Sequence, residues 1–209
     1  MKFIFIGIIV PLCVLIPIIS GIVLYRYFSR VEKALLILLF LNGICNLVGS
    51  LLAYNKINNL PVIHVYTFLE GIVLMLFFLS LFNTPLLTKI LYTLIIVFSA
   101  FCLLNSIFIQ QIFAYNTYSR TLEALIIIAL CLYYFTLQLQ EDFQPGKYPG
   151  FWYVLGLFIY FSSSLTIFIL SNQSFNLNRT FLLVMWNVHA GMLLLMYLFI
   201  SKGFMLCRK

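Results

Sequence analysis

Long unbroken apolar runs alternate with short polar breaks along this chain. Runs such as residues 34–40, 72–79 and 192–200 are apolar at every position. Strands of a membrane barrel alternate lipid-facing apolar and lumen-facing polar residues, so the runs read as helices. A hydrocarbon core of about 30 Å takes about 20 helical residues to cross. The pattern predicts seven such spans, at residues 3–25, 34–54, 61–82, 88–109, 121–139, 151–170 and 181–201. The breaks between them hold the polar and turn-forming residues. Pro85 lies in 83–87, Pro145, Gly146, Pro149 and Gly150 close 141–150, and Asn dominates 171–180. No loop is long enough for a soluble domain, and no internal repeat is visible. One seven-helix domain over residues 1–209 is expected, an all-α polytopic integral membrane protein. The first run is longer than the 7–15 residues of a signal-peptide core and precedes no small-residue cleavage site, so it is expected to stay as a helix. Pro11 and Pro17 should kink it.

Composition strengthens this reading. The chain of 209 residues is 64% hydrophobic and 8% charged, with a mean hydropathy of +1.13. A soluble domain carries roughly 25% charged residues and leaves about a third of its chain's surface in water. This sequence has too little polar surface for that. In lipid, every backbone N–H and C=O must find its partner inside the protein, which helices achieve alone.

The net charge of +7 raises a nucleic-acid partner, but the charges are few and stand between apolar runs. They are topology signals rather than a phosphate-binding patch. Arg26, Arg30, Lys33, Lys89, Lys147, Lys202, Arg208 and Lys209 fall on one side, eight in all; Lys2, Lys56, Arg120 and Arg179 fall on the other, four in all. The richer side faces the cytoplasm, which puts the N-terminus outside and the C-terminus inside. Aromatic residues near span ends, including Tyr54, Tyr115, Tyr118, Trp152 and Tyr153, fit an interfacial belt.

Four ionisable residues fall inside the predicted spans: His64, Glu70, Glu123 and His189. Such groups are costly at membrane depth and face a bundle interior or a wet cavity. At 1.5 Å per residue, His64 lies roughly 5 Å and Glu70 roughly 14 Å below the outer end of helix three. Trp186, Asn187 and His189 sit at middle depth in helix seven. Helix six brings Tyr160, Ser162, Ser163, Ser164 and Thr166 to the middle and outer levels. Polarity therefore gathers in the outer half, and an outward-facing pocket is expected from His64, Tyr66, Glu70, Glu123, Tyr160, Trp186, Asn187 and His189.

The angles divide this set. Tyr66 and Glu70 share a face at i, i+4, whereas His64 and Glu70 stand about 120° apart. Arg120 at the rim is spaced i, i+3 from Glu123, and a pairing there would make Glu123 a rim ion pair. Asn42, Asn46, Gly49, Ser50 and Ala53 form one small, polar stripe on helix two, expected as a tight helix contact.

Reaction signatures are missing from the sequence: there is no H-E-x-x-H, no G-x-S-x-G and no Walker A motif. No metal site and no cofactor is expected, since the His and Glu residues show no ligand-pair spacing. Helix seven lacks a mid-span lysine for a retinal Schiff base; its Lys202 is at the inner end. Of the five cysteines, Cys13, Cys45, Cys102 and Cys131 lie in spans as small apolar residues, and Cys207 beside the last span is a candidate for acylation. Asn172 and Asn178 each open an N-glycosylation sequon.

His64-x-Tyr66-Thr67-x-x-Glu70, Thr121-x-Glu123, Phe151-Trp152 and Trp186-Asn187-x-His189 resemble segments of small uncharacterised bacterial seven-helix membrane proteins, which occur alone or as membrane input modules of signalling proteins. The resemblance implies a sensor in the bacterial inner membrane and supplies no catalytic residue. The expected function is a sensor or signalling module that binds a small or lipidic ligand in the outer pocket. Its short cytoplasmic loops require a partner chain for output. The alternatives are a transporter and a lipid-modifying enzyme using Glu70 and His189; the balance leans away from an enzyme.

Overall fold

Residues 5–82, 84–139, 145–170 and 178–208 are described in the computed structural model of this protein; 89% of them are helical, without a strand among them. Among the described residues, seven helices are long and apolar enough to cross a membrane. They are α1 (Phe5–Tyr27), α2 (Arg30–Tyr54), α3 (Leu60–Phe82), α4 (Pro85–Ile109), α5 (Thr117–Gln138), α6 (Pro149–Leu170) and α7 (Arg179–Leu206). Lys2, Phe3, Glu141, Asp142 and the sequon at Asn172 lie outside the described residues.

The helix starts follow local chemistry. Ser29 caps α2: its Oγ accepts from the Val31 N–H, while Glu32 accepts from the Ser29 N–H at 2.9 Å in return. Glu32 is thus bound into a capping box. Pro85 stands in the first turn of α4, where its missing N–H costs nothing. Asn178 caps α7 by accepting from the Thr180 N–H at 2.9 Å. At the other end of α2, Lys56 adopts a φ of 59°, and Ile57 N–H reaches back to the Leu52 carbonyl at 2.9 Å. This left-handed turn reverses the chain into α3.

The two prolines of α1 break its regularity as expected. Pro17 cannot bond the Cys13 carbonyl, and its ring pushes that carbonyl aside; the α-helical ladder is interrupted at Val14. Pro11 stands in the same relation to Gly7, which lies in a wide π-helical turn over Phe5–Ile9.

Helices α1, α2, α3, α5, α6 and α7 pack in a ring in chain order, with α7 closing on α1, and α4 lies outside against α3. Two glycines permit the closest approaches. At Gly71 the ring of Phe98 on α4 occupies the place of a Cβ, and at Gly203 the ring of Tyr153 does the same between α6 and α7.

The ring is filled differently at its two ends. Toward the α1–α2 turn, aromatic side chains close it: Tyr153 packs on Phe204 at 5.6 Å and on Phe77 at 6.4 Å between ring centres, and Phe28 on Phe204 at 4.6 Å. Tyr153 is fully buried there, because Gly203 admits its ring, and so it does not join the interfacial belt. Toward the α2–α3 turn the interior is polar. Outside, large apolar side chains stand free, with Val23, Ile96 and Phe108 exposed to 70%, 69% and 77%. A surface of this kind calls for hydrocarbon as its solvent.

Candidate functional site

The polar end of the ring is organised around Arg120. Helix α5 begins at Thr117, four residues before the start expected from hydropathy, and Thr117, Ser119 and Arg120 are buried against the bundle while Tyr118 faces out. Arg120 therefore sits one turn inside the helix and is buried, with 8% exposure. This corrects its expected place at the rim. Its Nη1 donates to Glu70 Oε2 on α3, and to Glu123 Oε2 on its own helix at 3.0 Å. Its Nη2 donates to the Tyr160 hydroxyl on α6 at 3.2 Å. The guanidinium also lies over the ring of Phe168 at 4.7 Å and that of Tyr66 at 5.3 Å, within the range of cation–π attraction. One side chain thus ties three helices together. Glu123 is fully buried, and its Oε1 has no hydrogen-bond partner among the described residues. The i, i+3 pairing read from the sequence is present, but as one half of an intramembrane cluster.

A relay of hydrogen bonds extends the cluster to α2 and α7. Tyr66 donates to Glu70 Oε1 at 2.7 Å, Asn42 Nδ2 donates to the Tyr66 hydroxyl at 2.8 Å, and Tyr197 donates to Asn42 Oδ1 at 2.7 Å. Asn46 joins by donating to the same Asn42 oxygen at 2.7 Å. Five helices of the ring are linked in this way, and α1 is outside the chain of bonds.

Above Arg120 lies a cavity of about 240 Å³. Tyr66, Tyr160, Trp186 and His189, all expected as site residues, line it together with Asn116 and Arg120 itself. His189 Nδ1 is 2.6 Å from the Ser164 hydroxyl, and its ring meets Tyr160, Trp186 and Phe168 at 5.3, 5.7 and 5.8 Å. Glu70 and Glu123 hold Arg120 and do not themselves line the cavity.

Two expected residues stand apart. His64 bonds Ser106 Oγ at 3.2 Å and the Ala114 carbonyl at 3.1 Å, so it pins α3 to the α4–α5 connection, on the face turned away from Glu70. Asn187 donates to the Leu183 carbonyl of its own helix at 2.6 Å. The small, polar stripe of α2 is also not a sealed contact: Gly49, Ser50 and Ala53 line a crevice of about 280 Å³ between α2 and α3, and Asn42 and Asn46 are taken into the relay. At that level Asn42 reaches Tyr66 on α3 and Tyr197 on α7.

The pattern reading missed Arg120, Asn42, Tyr197 and Phe168 as site members. The helical period carried a signal for some. His189, Leu193 and Tyr197 follow i, i+4, i+8, as do Tyr160, Ser164 and Phe168, so each set shares one face.

Fold and site together define a multi-pass, all-helical membrane protein with a buried ion cluster beneath an interior cavity. Compared with known protein families, with curated proteins and with solved structures, the chain matches none.

Proposed function

We propose that this protein is a membrane sensor. It binds a small or lipidic ligand in the cavity above Arg120 and passes a helix movement to a cytoplasmic partner. The observation that carries the reading is the position of Arg120, which holds α3, α5 and α6 together beneath the cavity. A ligand that competes for Tyr160 or for a guanidinium N–H changes how three helices are held. That gives it different affinities for two arrangements, which is what a switch requires. The distribution of Lys and Arg supports an orientation with the N-terminus outside and the cavity opening outward; the bacterial inner membrane is what the resemblance in sequence implies.

The test is a thermal-stability screen of the purified protein against lipids and small metabolites. A ligand at about 100 times its Kd stabilises the native state by about 2.7 kcal/mol. The gain is expected to shrink in Tyr160→Phe and His189→Ala. If no compound stabilises the protein and no partner co-purifies from its own membranes, the sensor reading fails. Ionisable groups within spans also mark transport pathways, so the cluster favours a transporter as the second reading. Substrate uptake into proteoliposomes that is abolished by Glu70→Gln would select it.

A further inference from the structure

A third space adjoins the cavity. Between α1 and α2 runs a groove of about 480 Å³, lined by apolar residues such as Pro11, Leu12, Leu15, Ile44 and Leu47, with Asn46 and Ser50 as its polar wall. It exists where α1 is irregular, since Pro11 and Val14, at the break, both line it. Asn46 and Ser50 also line the α2–α3 crevice, and Asn46 borders the central cavity as well. Groove, crevice and cavity therefore all border Asn46. Leu12 and Leu47 are 57% and 62% exposed, so the groove opens on hydrocarbon, whereas the cavity is bordered by amides, phenols and an imidazole.

The charges around the cavity limit what can enter. Arg120 Nη1 is already taken by two carboxyl groups, Glu70 and Glu123. A second anion would have to displace one of them from a buried pair. A cation would meet Arg120 first, and the faces of Tyr66 and Phe168 that would attract it are already covered by that guanidinium. Uncharged acceptors and donors remain, and they match the Asn, Tyr and His lining.

Resting on the ligand-binding reading above, we propose that the ligand is a lipid with an uncharged, hydrogen-bonding head, carbonyl or hydroxyl. Its head occupies the cavity above Arg120, and its hydrocarbon tail passes Asn46 into the α1–α2 groove. A long tail strengthens binding because each methylene moved out of water into an apolar site adds to the stabilisation. In a membrane the gain is smaller, and arises from packing in the groove rather than from escape from water.

The chain has two tryptophans. Trp186 lines the cavity, and Trp152, near the start of α6, lies under Lys202 at the other end. Trp152→Phe leaves Trp186 as the single reporter. This protein, in phosphatidylcholine vesicles, is titrated with dodecanol, dodecanesulfonate, dodecyltrimethylammonium and hexanol. Dodecanol is expected to shift Trp186 emission saturably, at about tenfold lower membrane concentration than either charged probe or hexanol.

Gly43→Leu puts a side chain into the groove, and its Cβ meets Ile18 and Val14 at an ordinary contact distance of 3.8 Å. It is expected to bring dodecanol down to the level of hexanol while leaving hexanol unchanged. Asn46→Leu, at the junction, should lower dodecanol binding as well, and hexanol with it, because Asn46 also borders the cavity. Dodecanol binding untouched by both variants would keep the cavity ligand and remove the tail from the groove. Preference for a charged probe would overturn the head assignment. A change of oligomeric state in Gly43→Leu, with the titrations unaltered, would give the groove to a second copy and overturn the tail assignment. No saturable response to any probe would remove this proposal; the sensor reading would then stand or fall by the stability screen.

Discussion

Arg120 on α5 and Glu70 on α3 form a buried ion pair, and Glu123 shares the same guanidinium nitrogen. The three are unequal. Glu70 is one of two anions, and Arg120 is the single cation between them.

Removal of the cation should therefore cost more than removal of one anion. Arg120→Gln leaves two carboxylates buried without a counter-charge, and breaking a buried pair in this way costs about 3–5 kcal/mol. Glu70→Gln leaves Glu123 opposite the guanidinium and keeps an acceptor for the Tyr66 hydroxyl, so its cost should be about 1–3 kcal/mol. Equilibrium unfolding in mixed micelles measures both. A loss in Glu70→Gln equal to that in Arg120→Gln would show that the cluster is not held as described.

Asn42 sits in the middle of the relay and Tyr197 at its end. Tyr197→Phe removes one donor from an Asn42 oxygen that still accepts from Asn46, and should cost about 0.5–1.5 kcal/mol. Asn42→Ala strands the Tyr197 hydroxyl, the Asn46 amide and one bond of Tyr66, and should cost more, about 1–3 kcal/mol. Since the residues touch, the double variant should show a coupling of about 0.5 kcal/mol or more. Additive losses would mean that the 2.7 Å contact carries no energy.

Much of this architecture was legible in the chain. The seven spans come from hydropathy, because lipid admits only helices or closed barrels, unbroken apolar runs exclude the barrel, and lipid rewards every apolar residue alike. The same uniformity hid the site. An apolar stripe facing lipid and one facing the core look alike in sequence, so the faces of α6 and α7 had to be read from a few polar residues. Tyr66, Tyr160, Trp186 and His189, which polarity at depth singles out, line the cavity. Arg120 was misplaced because a charged residue at a span boundary reads as a topology signal, and only burial by Tyr160 and Phe168 shows otherwise. Asn42 was absorbed into a stripe of small residues, since its partners, Tyr66 and Tyr197, lie 24 and 155 positions away.

Two glycines of α7 should respond to alanine in opposite directions. A Cβ at Gly191 meets nothing within 4 Å, so Gly191→Ala gains helix propensity, about 0.5–1 kcal/mol. A Cβ at Gly203 falls inside the ring of Tyr153, and Tyr153 is fully buried with nowhere to retreat. Gly203→Ala should therefore cost about 1–3 kcal/mol through overpacking. Tyr153→Leu in the Gly203→Ala background should recover part of it. Stabilisation by Gly203→Ala would contradict the close crossing of α6 and α7.

Cys207, just past the last span, offers a test by pH. Its Sγ lies 3.4 Å from the Tyr153 hydroxyl and 3.5 Å from the Gly203 carbonyl. Burial pushes its thiol above the ordinary range, against a smaller lowering by the Tyr153 hydrogen bond. Only the thiolate is a nucleophile, so at neutral pH less of it is available than in an exposed cysteine. Alkylation by iodoacetamide, followed by mass spectrometry on the Cys207 peptide, should be slow at pH 7 and rise at higher pH than in a free cysteine peptide. Acyl transfer draws on the same thiolate, so Cys207 should be a poor acceptor in the folded protein. Tyr153→Phe removes the hydrogen bond that lowers the thiol and leaves the burial, so it should move the alkylation profile to higher pH still. A profile that matches the free peptide would place the sulfur in water, away from Tyr153 and Gly203.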